Sequence, residues 1–147
     1  MTETGIIENE TGTQRLIGYV LDVGRPDGRA RCHLTLTDAH LNRHGVLHGG
    51  ITTALLDNAL GATASLTVDP LGRAPFLTIA LTVNFIAPAV EGAKLTATGR
   101  ITGGGRALVF AEGELKGADG TLVATANGVF KRAPQHGSKG AEPGKEG

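Results

Sequence analysis

The stretch Asn42–Leu66 reads NRHGVLHGGITTALLDNALGATASL, and its second part decides the fold. From Gly49 to about Leu66, apolar residues recur at three- and four-residue spacing, which predicts an α-helix with one buried face. Alanine and glycine fill many of the other positions, so little side-chain bulk surrounds the helix axis. The sequence therefore predicts one long helix around which other elements can pack closely.

Strand-like segments flank this helix, two before it and four after it. They are Ile17–Val23, Ala30–Thr37, Phe76–Ile86, Lys94–Thr102, Ala107–Lys116 and Thr121–Lys131, separated by turn and loop signals. Short connections between the last four predict an antiparallel meander. A single helix must then pack on one face of a strongly curved sheet. We therefore expect an α+β fold in which a central helix is wrapped by about six antiparallel strands.

Length and composition narrow the class of protein. The 147 residues fit one domain, expected at 15–133 between a flexible N-terminal segment, 1–14, and a disordered C-terminal tail, 134–147. The formal net charge is zero and no basic stripe alternates with aromatic residues, so we expect no nucleic-acid partner. No apolar run approaches the roughly 20 residues of a membrane helix. The polar, acidic N-terminus and the single cysteine, Cys32, favour a reducing cytoplasm.

The helix begins immediately after His48-Gly49-Gly50. Backbone N–H groups in a first helical turn lack partners within the helix and carry partial positive charge. Glycine there leaves room for a ligand, so the site suits a carbonyl oxygen that becomes an oxyanion during attack. The alternative is that the two glycines form only a junction between loop and helix.

Asp57 lies in the middle of this helix, where aspartate has poor helix propensity. A solvated face is the usual explanation for such a carboxylate, but Gly49–Thr67 contains no other charged residue. A lone carboxylate on an uncharged helix is costly unless a hydrogen bond or a reaction uses it. Asp57 is therefore a candidate base.

The distance between Asp57 and the start of its helix indicates that the site needs a second subunit. Asp57 lies eight residues beyond Gly49, about 12 Å along the helix. Reacting atoms must approach within about 3.5 Å, so Asp57 cannot act on a carbonyl held at the start of its own helix. An antiparallel helix from a second copy would bring its Asp57 to that place. We predict a homodimer with two composite sites.

Polar residues of the preceding loop are further candidates. Asn42 and His48 can donate hydrogen bonds to substrate or water, or can instead serve as a turn residue and a helix cap. His40, His44 and His48 are spaced by four, but Gly45 argues against a helix there, so we predict no metal site.

These residues resemble the hotdog-fold acyl-CoA thioesterases, specifically the PaaI-like branch of the phenylacetate pathway. The similarity covers roughly Ile17–Lys131. The matching positions are Asn42, His48-Gly49-Gly50, Leu55-Leu56-Asp57-Asn58, Gly61, Val83-Asn84-Phe85-Ile86-Ala87-Pro88-Ala89 and Gly105-Arg106. The spacing from the asparagine through His-Gly-Gly to the aspartate is its most specific part.

The resemblance implies hydrolysis of an acyl-CoA thioester, with coenzyme A as part of the substrate and no separate cofactor. It implies that Gly49 N–H polarises the carbonyl, that Asp57 of the partner subunit activates water or attacks directly, and that Asn42 and His48 orient the carbonyl and loop. Thr78 takes the position of a hydroxyl beside the carboxylate. The implied coenzyme A contacts are Ala80, Phe85, Gly103, Gly105, Arg106 and Lys131. Dimers that pair into tetramers are usual in this family.

Two other functions stay open from the sequence. A hydratase or dehydratase of the same fold would need a different acid–base set from the one seen here. A non-catalytic acyl-CoA-binding protein would bind without turnover. The sequence does not identify the acyl group.

Overall fold

The computed structural model describes residues 5–134. It contains the helices α1 (Gly12–Ile17) and α2 (Gly49–Leu66) and a short 3₁₀ turn at Asp38–His40. The strands are β1 (Ile6–Ile7), β2 (Val20–Asp22), β3 (Arg31–Thr35), β4 (Phe76–Phe85), β5 (Lys94–Gly104), β6 (Leu108–Gly117) and β7 (Leu122–Arg132). None of the helices in this described part is long and apolar enough to cross a membrane.

The strands form one antiparallel sheet in the order β1-β2-β3-β5-β6-β7-β4, and α2 packs against β3 through β7. The predicted α+β fold with one wrapped helix is confirmed, with seven strands rather than about six. Buried side chains between helix and sheet include Leu55, Leu56, Leu60, Leu115 and Phe130. The core therefore lies along one face of α2.

The predicted four-strand meander is wrong for β4. This strand pairs with β7, whereas β5 pairs with β3. The connection 86–93 carries the chain across the sheet end, where backbone hydrogen bonds hold it. Val123 O accepts from the N–H groups of Ile86 and Ala87, at 2.9 and 3.1 Å, and Leu36 N–H donates to Ala93 O at 2.9 Å. As a result β4 forms one edge of the sheet.

Glycines on the sheet allow α2 to approach it closely. Gly99 of β5 lies directly opposite Gly113 of β6. A Cβ atom at Gly99 would lie 2.8 Å from Ala59 O and would also collide with the Thr63 side chain. At Gly113 it would lie 2.6 Å from Thr98 O. The small residues of the helix therefore meet small residues of the sheet, in line with the close packing predicted from the alanines and glycines of the helix.

Substituting Gly99 by alanine is expected to reduce the free energy of unfolding by about 1–3 kcal/mol, because the new methyl group overpacks the contact with Ala59 and Thr63. Urea unfolding measures this loss. Gly105→Ala is the matched control, since a Cβ there meets nothing within 4 Å. Equal stability of the two variants would mean that α2 can move away from the sheet without cost.

The N-terminal region contains elements that the sequence analysis did not predict. Both β1 and the start of α1 lie within the segment 1–14 that was expected to be flexible. The buried amide of Gln14 joins them, because its Nε2 donates to Ile7 O at 2.8 Å and to Tyr19 O at 3.0 Å. Composition alone does not reveal such a satisfied buried amide. The predicted tail 134–147 lies outside the described residues apart from Pro134.

Candidate functional site

The loop before α2 is closed by Asn42. Its Oδ1 accepts from His44 N–H at 2.9 Å and from Val46 N–H at 3.3 Å. Leu41 and Leu47 form an isolated antiparallel bridge at the base of the loop, and Gly45 takes a φ of 80° at its tip. Asn42 is thus a turn residue, and its Nδ2 has no acceptor in the part of the chain that the structure describes.

His48 caps the helix. Its Nδ1 accepts from Gly50 N–H at 2.8 Å. In the neutral ring the hydrogen is then carried by Nε2, which leaves that atom as a donor. His48 O accepts from Ile51 N–H and Thr52 N–H, at 3.0 and 3.1 Å.

The N–H group of Gly49 differs from the other N–H groups of this first turn in its hydrogen bonding. Within residues 5–134 it has no hydrogen-bond acceptor, whereas the next three N–H groups all have one. A free N–H at a helix start combines a vacant donor with the positive end of the helix dipole. This is the arrangement that a developing oxyanion requires.

A pocket of about 370 Å³ opens beside this N–H. Its lining includes residues from the loop, the helix start and the end of β4, namely Asn42, Val46, Leu47, Gly49, Thr52, Phe85, Ile86, Ala87, Pro88 and Val123. The Phe85 ring covers Gly49, since a Cβ at Gly49 would lie 3.4 Å from the ring. The pocket is therefore largely apolar, with a backbone donor and an amide side chain in its wall.

The carboxylate of Asp57 meets the hydroxyl of Thr78. Thr78 Oγ1 donates to Asp57 Oδ1 at 2.6 Å. The strand is irregular here, because Thr78 lies opposite Phe130 and Ala80 opposite Val129, which leaves Ile79 as the extra residue of a β-bulge. Thr78 therefore shares the face of Phe130, the side on which α2 packs. The second oxygen of Asp57 accepts no hydrogen bond from the described residues, so another partner can use it.

Within one chain, Asp57 lies far along α2 from the pocket at the start of that helix. Asp57 does not line the pocket that contains Gly49. Eight residues of continuous helix separate the two, about 12 Å along the axis. Asp57 is half-buried and Thr78 is exposed, so both can be reached from outside the chain. One chain thus holds the Gly49 N–H and the Asp57 carboxylate at different places.

The six predicted coenzyme A contacts fall into two groups. Gly103, Gly105 and Arg106 lie at the β5–β6 hairpin, and Lys131 is paired with Leu77 and Leu108 at the same end of the sheet. Ala80 lies nearby, opposite Val129 on the outer face of β7, whereas Phe85 is at the other end of β4. Arg106 and Lys131 form no ion pair with any described residue.

Within residues 5–134, the three loop histidines are not part of any cluster of three or more potential metal ligands. His40 is buried, accepts from Thr37 N–H at 2.9 Å through Nδ1, and bonds Ile17 O at 2.8 Å through Nε2. No group of three or more potential metal ligands occurs within 5–134. The rings of His40 and His48 thus both take part in local hydrogen bonds.

Sequence reasoning missed the contact between Tyr19 and Asn58. Tyr19 Oη donates to Asn58 Oδ1 at 2.9 Å, and Asn58 Nδ2 donates to Ala54 O at 2.8 Å. Burial raises the pKa of the Tyr19 hydroxyl, and the nearby Cys32 and Asp57 raise it further. This hydroxyl therefore stays neutral and donates the hydrogen bond that anchors α2 at Asn58, the residue after Asp57. The sequence carried no signal for it beyond Tyr19 being the only tyrosine.

Comparisons with known proteins find a matching family model and similar proteins. The sequence model of the Thioesterase superfamily matches residues 44–124, which include the later part of the loop, α2 and the strands β4, β5 and β6. The human protein named acyl-coenzyme A thioesterase 13 is 30% identical over 112 residues, which cover 76% of this chain and 78% of that protein.

Solved structures show the same fold. The Escherichia coli PaaI protein from the phenylacetic acid degradation operon has a TM-score of 0.73 and 23% identity, covering 85% of this chain and 86% of that one. A Streptococcus mutans protein bound to acetyl CoA has a TM-score of 0.65 and 20% identity, covering 74% and 83%. The helix wrapped by a curved sheet is thus the fold of these proteins.

Proposed function

The chain belongs to the thioesterase superfamily and is a thioester hydrolase of the hotdog fold, and from this premise we propose that it hydrolyses acyl-coenzyme A esters at a site shared between two subunits. The observation that carries the proposal is the Gly49 N–H, which has no acceptor among residues 5–134 and lies at the wall of an apolar pocket. The relative named for acyl-coenzyme A supports coenzyme A as the carrier of the acyl group.

The substrate carbonyl is placed on Gly49 N–H. As water attacks the carbonyl carbon, negative charge develops on the oxygen, and the fixed N–H stabilises it more in the transition state than in the bound ester. The amide of Asn42 and Nε2 of His48 lie on the same loop and helix start, where they can orient the carbonyl.

Asp57 of the partner subunit is the proposed general base. It removes a proton from the attacking water, and the resulting tetrahedral intermediate expels the thiolate when the C–S bond breaks. The proton returns to the sulfur, so the products are a carboxylic acid and the coenzyme A thiol. Thr78 donates to one oxygen of Asp57, which leaves the other to accept the water proton.

The second subunit is proposed to lie along β4, so that two copies of α2 run antiparallel. β4 is an edge strand with exposed apolar side chains, among them Leu77 and Ile79 at 59% and 57% exposure. Two such dimers are proposed to pair through the outer face of the sheet. Three exposed apolar side chains share this face, namely Leu77, Leu108 and Phe110. A reducing, cytoplasmic compartment is consistent with the single, buried Cys32.

Arg106 and Lys131 are proposed to contact the phosphates of coenzyme A, since both are cations without an ion-pair partner among the described residues.

Arg106→Ala is expected to raise KM for acyl-CoA about three- to tenfold with little change in kcat, because an exposed phosphate contact is worth about 1 kcal/mol. Steady-state kinetics measure this. A thioester truncated to the pantetheine arm should show no change in KM, and an equal change for both substrates would contradict the assignment.

The proposed function is tested by release of free thiol from a panel of aryl- and alkyl-CoA esters. Turnover of at least one ester supports it. Water addition to crotonyl-CoA without thiol release would favour a hydratase, and binding of acyl-CoA without either reaction would favour a non-catalytic binding protein.

A further inference from the structure

The side chain of His40 links two segments that are distant in the sequence. His40 ends the 3₁₀ turn Asp38–His40, and its side chain is buried. Its Nδ1 accepts from Thr37 N–H at 2.9 Å, so in the neutral ring the hydrogen is carried by Nε2. Nε2 then donates to Ile17 O at 2.8 Å. Both bonds fit the same tautomer, and together they hold the ring in one orientation.

The acceptor of the second bond belongs to the last residue of α1. Carbonyl groups in a last helical turn lack a partner within the helix, and the His40 ring supplies one to Ile17 O. The chain is also held just beyond Ile17, because Tyr19 is hydrogen-bonded through both its backbone and its side chain. Gln14 Nε2 donates to Tyr19 O at 3.0 Å, and Tyr19 Oη donates to Asn58 Oδ1 of α2 at 2.9 Å. The end of α1 is therefore a fixed point for His40.

The backbone of His40 extends this anchoring to the start of α2. His40 O accepts from His48 N–H at 2.9 Å, and His48 is the N-cap of the helix. The peptide group between His48 and Gly49 carries the proposed oxyanion donor. Because a trans peptide is planar, that N–H points away from His48 O, which accepts from the first turn of the helix. The helix thus sets the direction of the Gly49 N–H, and the bond from His48 to His40 holds its position.

We infer that His40 is a positioning residue for thioester hydrolysis, whose ring fixes the Gly49 N–H by joining the end of α1 to the N-cap of α2. This inference rests on the proposed role of the Gly49 N–H. His40 does not line the pocket beside that N–H, so it acts through His48 and not on the substrate. A misplacement of about 1 Å in a reaction centre can lower the rate about 10²-fold. Loss of the bond to Ile17 O should therefore lower kcat.

Two substitutions separate the two bonds of the ring. In His40→Asn the side chain is too short to reach Ile17 O, but its Oδ1 can still accept from Thr37 N–H. In His40→Gln the side-chain amide reaches the place of Nε2 and can donate to Ile17 O. We expect kcat for thiol release to fall about ten- to a hundredfold in His40→Asn, with little change in KM, and to recover to within about threefold in His40→Gln. An unchanged kcat in His40→Asn would overturn the inference.

His33→Asn is the matched control. The His33 ring is partly buried on the neighbouring strand β3 and bonds the Thr96 hydroxyl at 2.9 Å. The same chemical change there breaks a hydrogen bond of similar length that does not lead to the start of α2. We expect kcat of His33→Asn to equal that of the unsubstituted protein.

The Gly49→Pro background separates positioning from a general loss of stability. Proline removes the donor that His40 is proposed to position. In that background His40→Asn should lower kcat no further, whereas a loss of folded protein would lower kcat by the same factor in both backgrounds. Equal factors in the two backgrounds would show that His40 has only a structural role.

Hydrogen exchange of backbone amides, followed by NMR, gives a readout that needs no turnover. We expect the His48 amide to exchange at least about tenfold faster in His40→Asn than in the unsubstituted and His40→Gln proteins, while amides in the middle of α2 keep their rates. This result in a protein that hydrolyses no acyl-CoA ester means that the link stands and the proposed function fails. Unchanged exchange at His48, with thiol release intact, means that the function stands and the link is wrong.

The unsubstituted protein provides a test that does not depend on the folding of a variant. Nitrogen NMR of the histidine rings distinguishes the two neutral tautomers. We expect His40 to carry its hydrogen on Nε2, and that proton to exchange slowly because it is bonded to Ile17 O inside the protein. A hydrogen on Nδ1, or rapid exchange of the Nε2 proton, would remove the bond on which the inference depends.

Discussion

Replacing Gly49 by proline is expected to lower kcat by about 10²–10³-fold, the effect of removing one oxyanion donor. Proline has no N–H, and Gly49 N–H is the proposed donor. The fold should tolerate the change, since Gly49 is the first residue of α2 and proline is favoured there. His48 already has φ −68° and ψ 135°, the extended conformation that a residue before proline needs.

The control for this prediction is Gly49→Ala. Both substitutions add a Cβ at about 3.4 Å from the Phe85 ring, but alanine keeps the N–H. The ratio of kcat between the alanine and proline variants therefore measures the donor alone. Equal activities of the two variants would show that the Gly49 N–H does not stabilise the transition state.

Replacing Asp57 by alanine is expected to lower kcat at least about 10²-fold, because the water loses its base. Asp57→Asn should lose a similar factor while its amide oxygen can still accept the hydrogen bond from Thr78. Steady-state thiol release at saturating acyl-CoA measures both. Glu91→Gln, which neutralises an exposed carboxylate in the β4–β5 connection, should retain full activity. Turnover at the unsubstituted rate by Asp57→Ala would exclude Asp57 as the base.

Mixing the two inactive proteins tests whether the site is shared. A mixed dimer of Gly49→Pro and Asp57→Asn chains has one site with both substitutions and one with neither. If subunits exchange at random, about a quarter of the unsubstituted activity should return. No recovery, with exchange confirmed by mass, would place both residues in the same chain's site.

Much of the fold was predictable because its signals are local. The helix Gly49–Leu66 has the bounds expected from its apolar spacing, and the last three strands match their predicted segments to within two residues. The candidate site at the start of this helix was proposed from the sequence for a similar reason, because glycine after histidine and a lone Asp57 are unusual in a helix. The N-terminal elements were missed because Gln14 holds them through contacts with distant backbone atoms.

By itself the sequence determined one long helix of small residues, its polar start, its single carboxylate and a set of antiparallel strands around it. Periodicity and turn residues act over a few neighbouring positions, so these features can be read from the chain directly. Only the tertiary structure decided that β4 pairs with β7, that the bulge at Ile79 brings Thr78 to Asp57, and that Phe85 covers Gly49. Those contacts join residues that are far apart in the sequence, and they depend on which strands share an edge rather than on any local preference.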